Sequence, residues 1–84
     1  MQYRLFVDLE ALQFLTSSKL SLRRKLVAQL SKIEAFPESC SDYFENDSKG
    51  RRIDISICSQ HAIHYWIDFA DRHVKILLIS QADS

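Results

Sequence analysis

Apolar and polar residues alternate over residues 2–7, QYRLFV, a period of two in a β-forming segment that predicts a first strand. Asp8 follows in a position suited to an N-cap. Leu9, Ala11, Leu12, Phe14 and Leu15 then recur at helical spacing, which predicts a short helix to about Thr16, interrupted by Ser17–Ser18. A second helix is predicted from Leu20 or Ser21 to Phe36. Its stripe of Leu22, Leu26, Leu30 and Ile33, joined by Val27 and Phe36, advances in the steps of a core-facing helix. Pro37 ends it, because the residue before a proline is driven out of the α region.

Residues 38–50, ESCSDYFENDSKG, form the one long polar stretch and are expected to be a loop anchored by Tyr43 and Phe44. Alternation then returns. Residues 51–58 set Ile53, Ile55 and Ile57 against Arg52, Asp54, Ser56 and Cys58. Residues 61–69 set Ile63, Tyr65, Ile67 and Phe69 against Ala62, His64, Trp66 and Asp68. After a turn at Ala70–Asp71–Arg72, HVKILLIS reads as a last strand, apolar on both faces around Ile76 to Ile79. The expected fold is α+β in the order β-α-α-β-β-β, as a single domain over residues 1–84. A helical hairpin covers one face of a small, mainly antiparallel sheet. The first strand joins the sheet edge or pairs with a central strand. The helices are expected over Ile63, Tyr65 and Ile67, which puts Arg52, Asp54, His64, Trp66 and Asp68 together on the other face.

Composition sharpens this picture. Of the 84 residues, 46% are apolar and only one is Gly and one Pro, so the chain has the makings of a core and not of a linker. Eleven basic residues balance eleven acidic ones, which argues against non-specific nucleic-acid binding by net charge. The charges are nevertheless uneven. Residues 19–32 hold Lys19, Arg23, Arg24, Lys25 and Lys32 without an acid, and 38–47 hold Glu38, Asp42, Glu45 and Asp47 without a base. Such a basic run is ordinarily a solvated helix face, and the alternative is contact with an acidic partner or a nucleic-acid backbone. Cys40 and Cys58 fit free thiols in a reducing compartment. With Asp8 and Glu10 breaking any apolar leader and no run long enough to span a membrane, a cytoplasmic protein is expected. The histidines and cysteines fall at no zinc-ligand spacing, so neither a metal nor another cofactor is expected.

The chain resembles the RelE/ParE superfamily of toxins from bacterial toxin–antitoxin modules over nearly its whole length. The resemblance rests on the YRLFV strand followed by D-x-E-A-L-x-F-L and on the basic second helix ending at Phe36–Pro37. It continues through Gly50–Arg51–Arg52–Ile53, the Ala62–Ile63–His64–Tyr65–Trp66–Ile67–Asp68 strand and the Val74–Lys75–Ile76–Leu77 strand. It implies a toxin, of the kind linked to plasmid stabilisation, that a cognate antitoxin neutralises. RelE-type members cut messenger RNA on the ribosome, using basic residues on the open sheet face and a C-terminal basic or aromatic group; ParE-type members inhibit gyrase.

Arg52 falls at one basic position of the RNA-cleaving pattern. Asp54 and Ala62 stand where that pattern has further bases, and the tail Ser80–Ser84 lacks the terminal group. The candidate nucleic-acid or partner-binding residues are therefore Arg51, Arg52, His64 and Trp66. Arg52 and His64 are the candidates for metal-independent RNA cleavage, as phosphate clamp and acid–base group. The plainer reading of His64 is a strand-surface histidine beside Trp66. Trp66 itself is expected to be exposed as a partner anchor, the alternatives being a homodimer contact or a C-terminal tail folded over it. The alternative to a toxin is a catalytically inactive interaction module on the same fold.

Overall fold

The computed structural model describes residues 2–82, and the last residues of the tail, Asp83 and Ser84, lie outside them. The elements are β1 (Arg4–Val7), α1 (Leu9–Ser17), α2 (Leu20–Ala35), β2 (Tyr43–Asn46), β3 (Arg52–Cys58), β4 (His61–Asp68) and β5 (His73–Gln81). They build a five-stranded sheet in the order β1-β5-β4-β3-β2. Strands β2 to β5 are antiparallel neighbours, while β1 runs parallel to β5 at the edge, with Leu5 opposite Val74 and Val7 opposite Ile76. No helix among the described residues is long and apolar enough to cross a membrane.

The order is thus β-α-α-β-β-β-β, with one strand more than the hydrophobic pattern predicts. The extra strand is β2, inside the segment expected to be a loop. All four of its residues are exposed, so no buried face imposed an alternation that could be read. Tyr43 and Phe44 are likewise solvent-facing and not buried anchors. The β2–β3 connection closes at Gly50, whose φ of +78° lies in the left-handed region that glycine reaches without a Cβ clash.

The two helices lie on one face of the sheet. Leu26, Leu30 and Ile33 of α2 and Ala11 and Leu15 of α1 meet Ile63, Tyr65, Ile67, Val74, Ile76 and Ile79 in a continuous core. Leu9, Leu12, Val27 and Phe36, assigned to the apolar stripes by spacing, remain exposed. Asp8 does occupy the N-cap position of α1, but its side chain makes no capping bond. The other end of α1 is capped from a distance. The Arg23 guanidinium on α2 donates to the carbonyls of Leu15 at 2.9 Å and of Thr16 and Ser18 at 3.0 Å each. A cation at a helix C-terminus also meets the negative end of the helix dipole. Arg23 therefore fastens the hairpin and is not simply part of a solvated face. Replacing it with Met should keep the aliphatic packing and destabilise the domain by about 2 kcal/mol, read from urea denaturation.

Strand β3 turns into β4 through Ser59 and Gln60, with φ of 52° and 65°. Two left-handed residues make a primed hairpin turn, which glycine or asparagine fills with less strain. Gln60→Gly should therefore raise stability by roughly 0.5–1 kcal/mol in the same measurement.

Candidate functional site

The cross-strand register decides which side chains share a face. Asp54 lies opposite Tyr65, Ser56 opposite Ile63 and Cys58 opposite His61, so these residues of β3 point to the helices. Contacts from α2 agree with this. Gln29 donates to Ser56 Oγ at 2.9 Å, and the Cys58 thiol lies 3.7 Å from the Lys25 carbonyl oxygen. Ile55 and Ile57, opposite His64 and Ala62, point the other way. This corrects the expected grouping of Arg52 and Asp54 with His64 and Trp66. Taking the isoleucines of β3 for the inner face shifted every side chain of that strand to the wrong side.

On the helix side, Arg52 donates to Asp54 Oδ1 at 3.1–3.2 Å and lies over the Phe44 ring at 4.0 Å. Ser41 donates to the same Asp54 oxygen at 2.7 Å. Arg52 is thus tied to a buried carboxylate, well away from His64. Asp54, expected on the open face, is absent from it.

The open face carries a different set. Trp66 lies opposite Lys75, Lys75 opposite Phe6, and His73 opposite both Arg4 and Asp68. The Arg51 guanidinium lies 4.8 Å from the Trp66 ring centroid and the Lys75 ammonium 5.3 Å from it. Phe6 meets the His73 ring edge-on at 4.6 Å, and Arg4 lies 5.9 Å from the Phe6 centroid. The result is a stripe of alternating cations and aromatics, Arg4–Phe6–His73–Lys75–Trp66–Arg51, across three strands and the start of a fourth. Trp66 is half-buried by these neighbours and not the freely exposed anchor expected. Arg51 is also held by Asp47, whose carboxylate accepts from the Arg51 backbone N–H at 2.8 Å and from its Nε at 3.0 Å. The backbone N–H groups and the guanidinium hold the Asp47 carboxyl below its ordinary value.

His64 is one step along β4 from Trp66 on the same face, flanked by Ile55 and Leu78. Its Nε2 lies 3.4 Å from Ser80 Oγ. The β4–β5 ladder shifts register between His64 and Tyr65, so that His64 faces Leu78 while Tyr65 faces Ile76. This bulge accounts for the apolar run on both faces of β5: Ile76 and Ile79 enter the core, while Leu78 and Ser80 reach the open side. Bulges commonly re-aim side chains beside functional sites. A shallow concavity there is lined by Tyr43, Ile57, Ala62, His64 and Ser80.

Of the four candidates read from the sequence, the structure brings Arg51, His64 and Trp66 to one face and places Arg52 on the other. It adds Arg4, Phe6, His73, Lys75 and Ser80, which the sequence reading passed over. His73, the first residue of β5, belongs to the stripe. His61, on the helix side, packs edge-on against Phe14 at 5.5 Å. Asp68, Asp71 and His73 bring possible ligand atoms within 4.8 Å of one another, a grouping the sequence spacing did not suggest. Asp68 Oδ1 already accepts the Asp71 N–H at 3.2 Å, and exposed acidic groups of this kind are common without an ion.

No protein-family model matches the sequence, and no curated protein is significantly similar to it. Solved structures are similar in fold. A chain of the archaeal RelE–RelB complex from Pyrococcus horikoshii matches with a TM-score of 0.78 and 19% identity, covering 96% of each chain. The RelBE2 toxin–antitoxin complex of Mycobacterium tuberculosis matches at 0.78 and 15% identity, over 96% of this chain and 99% of that one. The isolated E. coli RelE toxin matches at 0.75 and 15% identity, over 98% of this chain and 86% of that one. Helices, sheet order and strand directions together give this chain the RelE fold.

Proposed function

We propose that this chain is the toxin of a toxin–antitoxin pair, acting in the cytoplasm by cutting messenger RNA during translation and neutralised by an antitoxin polypeptide. The observation that carries this reading is the cation–aromatic stripe beside His64, on the open face of a fold shared with RelE toxins along nearly the whole chain. The toxin–antitoxin complexes among the structural matches support an antitoxin as partner.

The stripe has the chemistry that single-stranded RNA requires. Aromatic rings stack on bases without regard to sequence, and interleaved cations follow the phosphates. Net charge is zero, but Arg4, Arg51 and Lys75 gather on one face and outnumber its carboxylates, Asp68 and the Arg51-bound Asp47, and that local surplus is what an RNA strand meets. His64 is the acid–base group of that face. As a base it takes the proton of a 2′-hydroxyl, whose oxygen then attacks the adjacent phosphorus. The bond from phosphorus to the 5′-oxygen breaks, leaving a 2′,3′-cyclic phosphate, and the departing oxygen takes a proton from solvent. Arg51 and Lys75 offset the charge that builds on the phosphate oxygens. Ser80, against Nε2, limits rotation of the imidazole ring.

The test is induced expression of the chain alone in bacteria, with growth and transcript integrity followed together. Arrest with cut transcripts is expected, relieved by a co-expressed antitoxin. A double variant, Arg51→Gln with Lys75→Gln, should weaken RNA binding and flatten its salt dependence by about two phosphate contacts. Arrest with intact transcripts would move the target to a protein such as gyrase. Harmless high-level expression would leave an inactive interaction module.

A further inference from the structure

On the helix side of the sheet, beyond the C-terminal end of α2, lies a concavity of about 390 Å³, within the size range of ligand pockets. It is lined by Glu38, Arg52, Asp54, Trp66, Ile67 and Phe69. Of the stripe only Trp66 also borders it, and His64 does not. Its chemistry is that of a cation site. Asp54 is only 3% exposed, yet it lines the concavity. Its Oδ1 accepts from Arg52 and Ser41. Its Oδ2 accepts no hydrogen bond from the described residues, and no described buried polar side-chain atom is fully enclosed without a partner. That oxygen is therefore not fully enclosed, and the residue that carries it borders the concavity. Glu38 adds a second carboxylate. Arg52 is the one cation in the lining and is already paired, so the concavity holds a surplus of one negative charge.

We propose that this concavity receives an arginine side chain from a partner polypeptide. A phosphate or an acidic side chain would meet the unpaired carboxylate charge of Glu38 and the free Asp54 oxygen, and is disfavoured. A guanidinium offers planar paired donors to carboxylate oxygens and a flat face for an aromatic wall. Phe69 supplies that wall in the lining, and Phe44, beneath Arg52, flanks it; they are 59% and 51% exposed. Two exposed aromatic rings around a charged slot suit a polypeptide carrying apolar neighbours more than a free small cation. The site stands whether or not the chain cuts RNA.

Occupancy is read by titration calorimetry, with the fluorescence of Trp66, the single tryptophan of the chain and a residue bordering the concavity, as a second signal. The folded chain would be titrated with the capped tripeptide Ala-Arg-Ala, and in parallel with Ala-Nle-Ala, Ala-Glu-Ala and the polyamine putrescine. Saturable binding is expected for the arginine peptide, at least about tenfold tighter than for the other three, and weakened about tenfold by Glu38→Gln. Asp54→Asn should weaken it as well, but this variant also disturbs the Arg52 and Ser41 bonds. Glu38, exposed and outside that network, keeps the test clear of folding. Equal binding of the norleucine or glutamate peptide, tighter binding of putrescine, no saturable response to arginine, or no effect of Glu38→Gln would each overturn the assignment. Growth arrest plays no part in this readout, so failure of the toxin reading would leave the result untouched.

Discussion

Alanine at His64 is expected to slow transcript cleavage by about 100- to 10,000-fold, the range typical for loss of a positioned acid–base group. The prediction follows from the composition of the open face. On the proposed reading the cations and aromatic rings of the stripe bind and polarise RNA, and proton transfer falls to an imidazole. His73 is the other imidazole there, and it is packed edge-on against Phe6 and flanked by Arg4. His64 lies one step along its strand from Trp66, with Ser80 against Nε2. Because the His64 side chain makes no contribution to the main core, the variant should fold, bind RNA and bind its antitoxin as the wild type does. A cleavage assay on translating ribosomes, with RNA affinity measured in parallel, checks this. Cleavage at the wild-type rate would remove His64 from the chemistry. An equal loss of binding and rate would make it a binding residue only.

The largest stability effect is expected at Tyr65. Its ring is fully buried under the helices, and its hydroxyl donates to the Pro37 carbonyl at 2.6 Å, tying the centre of the sheet to the end of α2. Alanine there removes a large ring from a close-packed core and should cost about 3–5 kcal/mol, enough to unfold much of a domain this small. Phenylalanine keeps the ring but leaves the carbonyl unpaired, for about 1–2 kcal/mol. In a domain of this size each kcal/mol lowers Tm by roughly 4–8 °C, so calorimetry separates the two variants. Burial, then the neighbouring Asp54 charge, pushes the Tyr65 hydroxyl well above its ordinary value of 10.0. The folded state therefore holds this proton more tightly than the unfolded chain. Its contribution is full below about pH 10 and declines as pH rises above that, because the unfolded chain ionises first. The wild type should accordingly lose stability faster than Tyr65→Phe between pH 10 and pH 11. Parallel curves would exclude Tyr65 as the cause.

Much of this fold is legible in the chain. Leu26, Leu30 and Ile33 step along α2 as a core stripe should, and Pro37 marks its end. Ile63, Tyr65 and Ile67 are on the side their alternation indicates. The failures have physical causes. A strand's most apolar face is taken as its inner one, and β3 reverses this. Asp54, Ser56 and Cys58 face the helices because Arg52, Ser41, Gln29 and the Lys25 carbonyl meet their polar atoms. Ile53 and Ile55 are buried on the open face, with Ile55 between Tyr43 and His64 across the sheet. Strand β2 was hidden because an exposed edge has no hydrophobic period to read. The site was legible in its parts, with His64, Trp66 and Arg51 visible as candidates. Their companions Arg4, Phe6 and Lys75 come from opposite ends of the chain, and only the β1–β5 pairing brings them together.

That pairing also sets the order in which the protein can become complete during synthesis. Strand β1 leaves the ribosome first, yet its partner in the sheet is the last strand described, and the chain through Ile76 must emerge before Arg4 and Phe6 find their places. Until then a nascent chain has neither the far half of the stripe nor the strand that seats Ser80 against His64. The open face is thus completed late in synthesis, after β5 has emerged and taken β1 as its neighbour, and the topology of the sheet itself sets that delay.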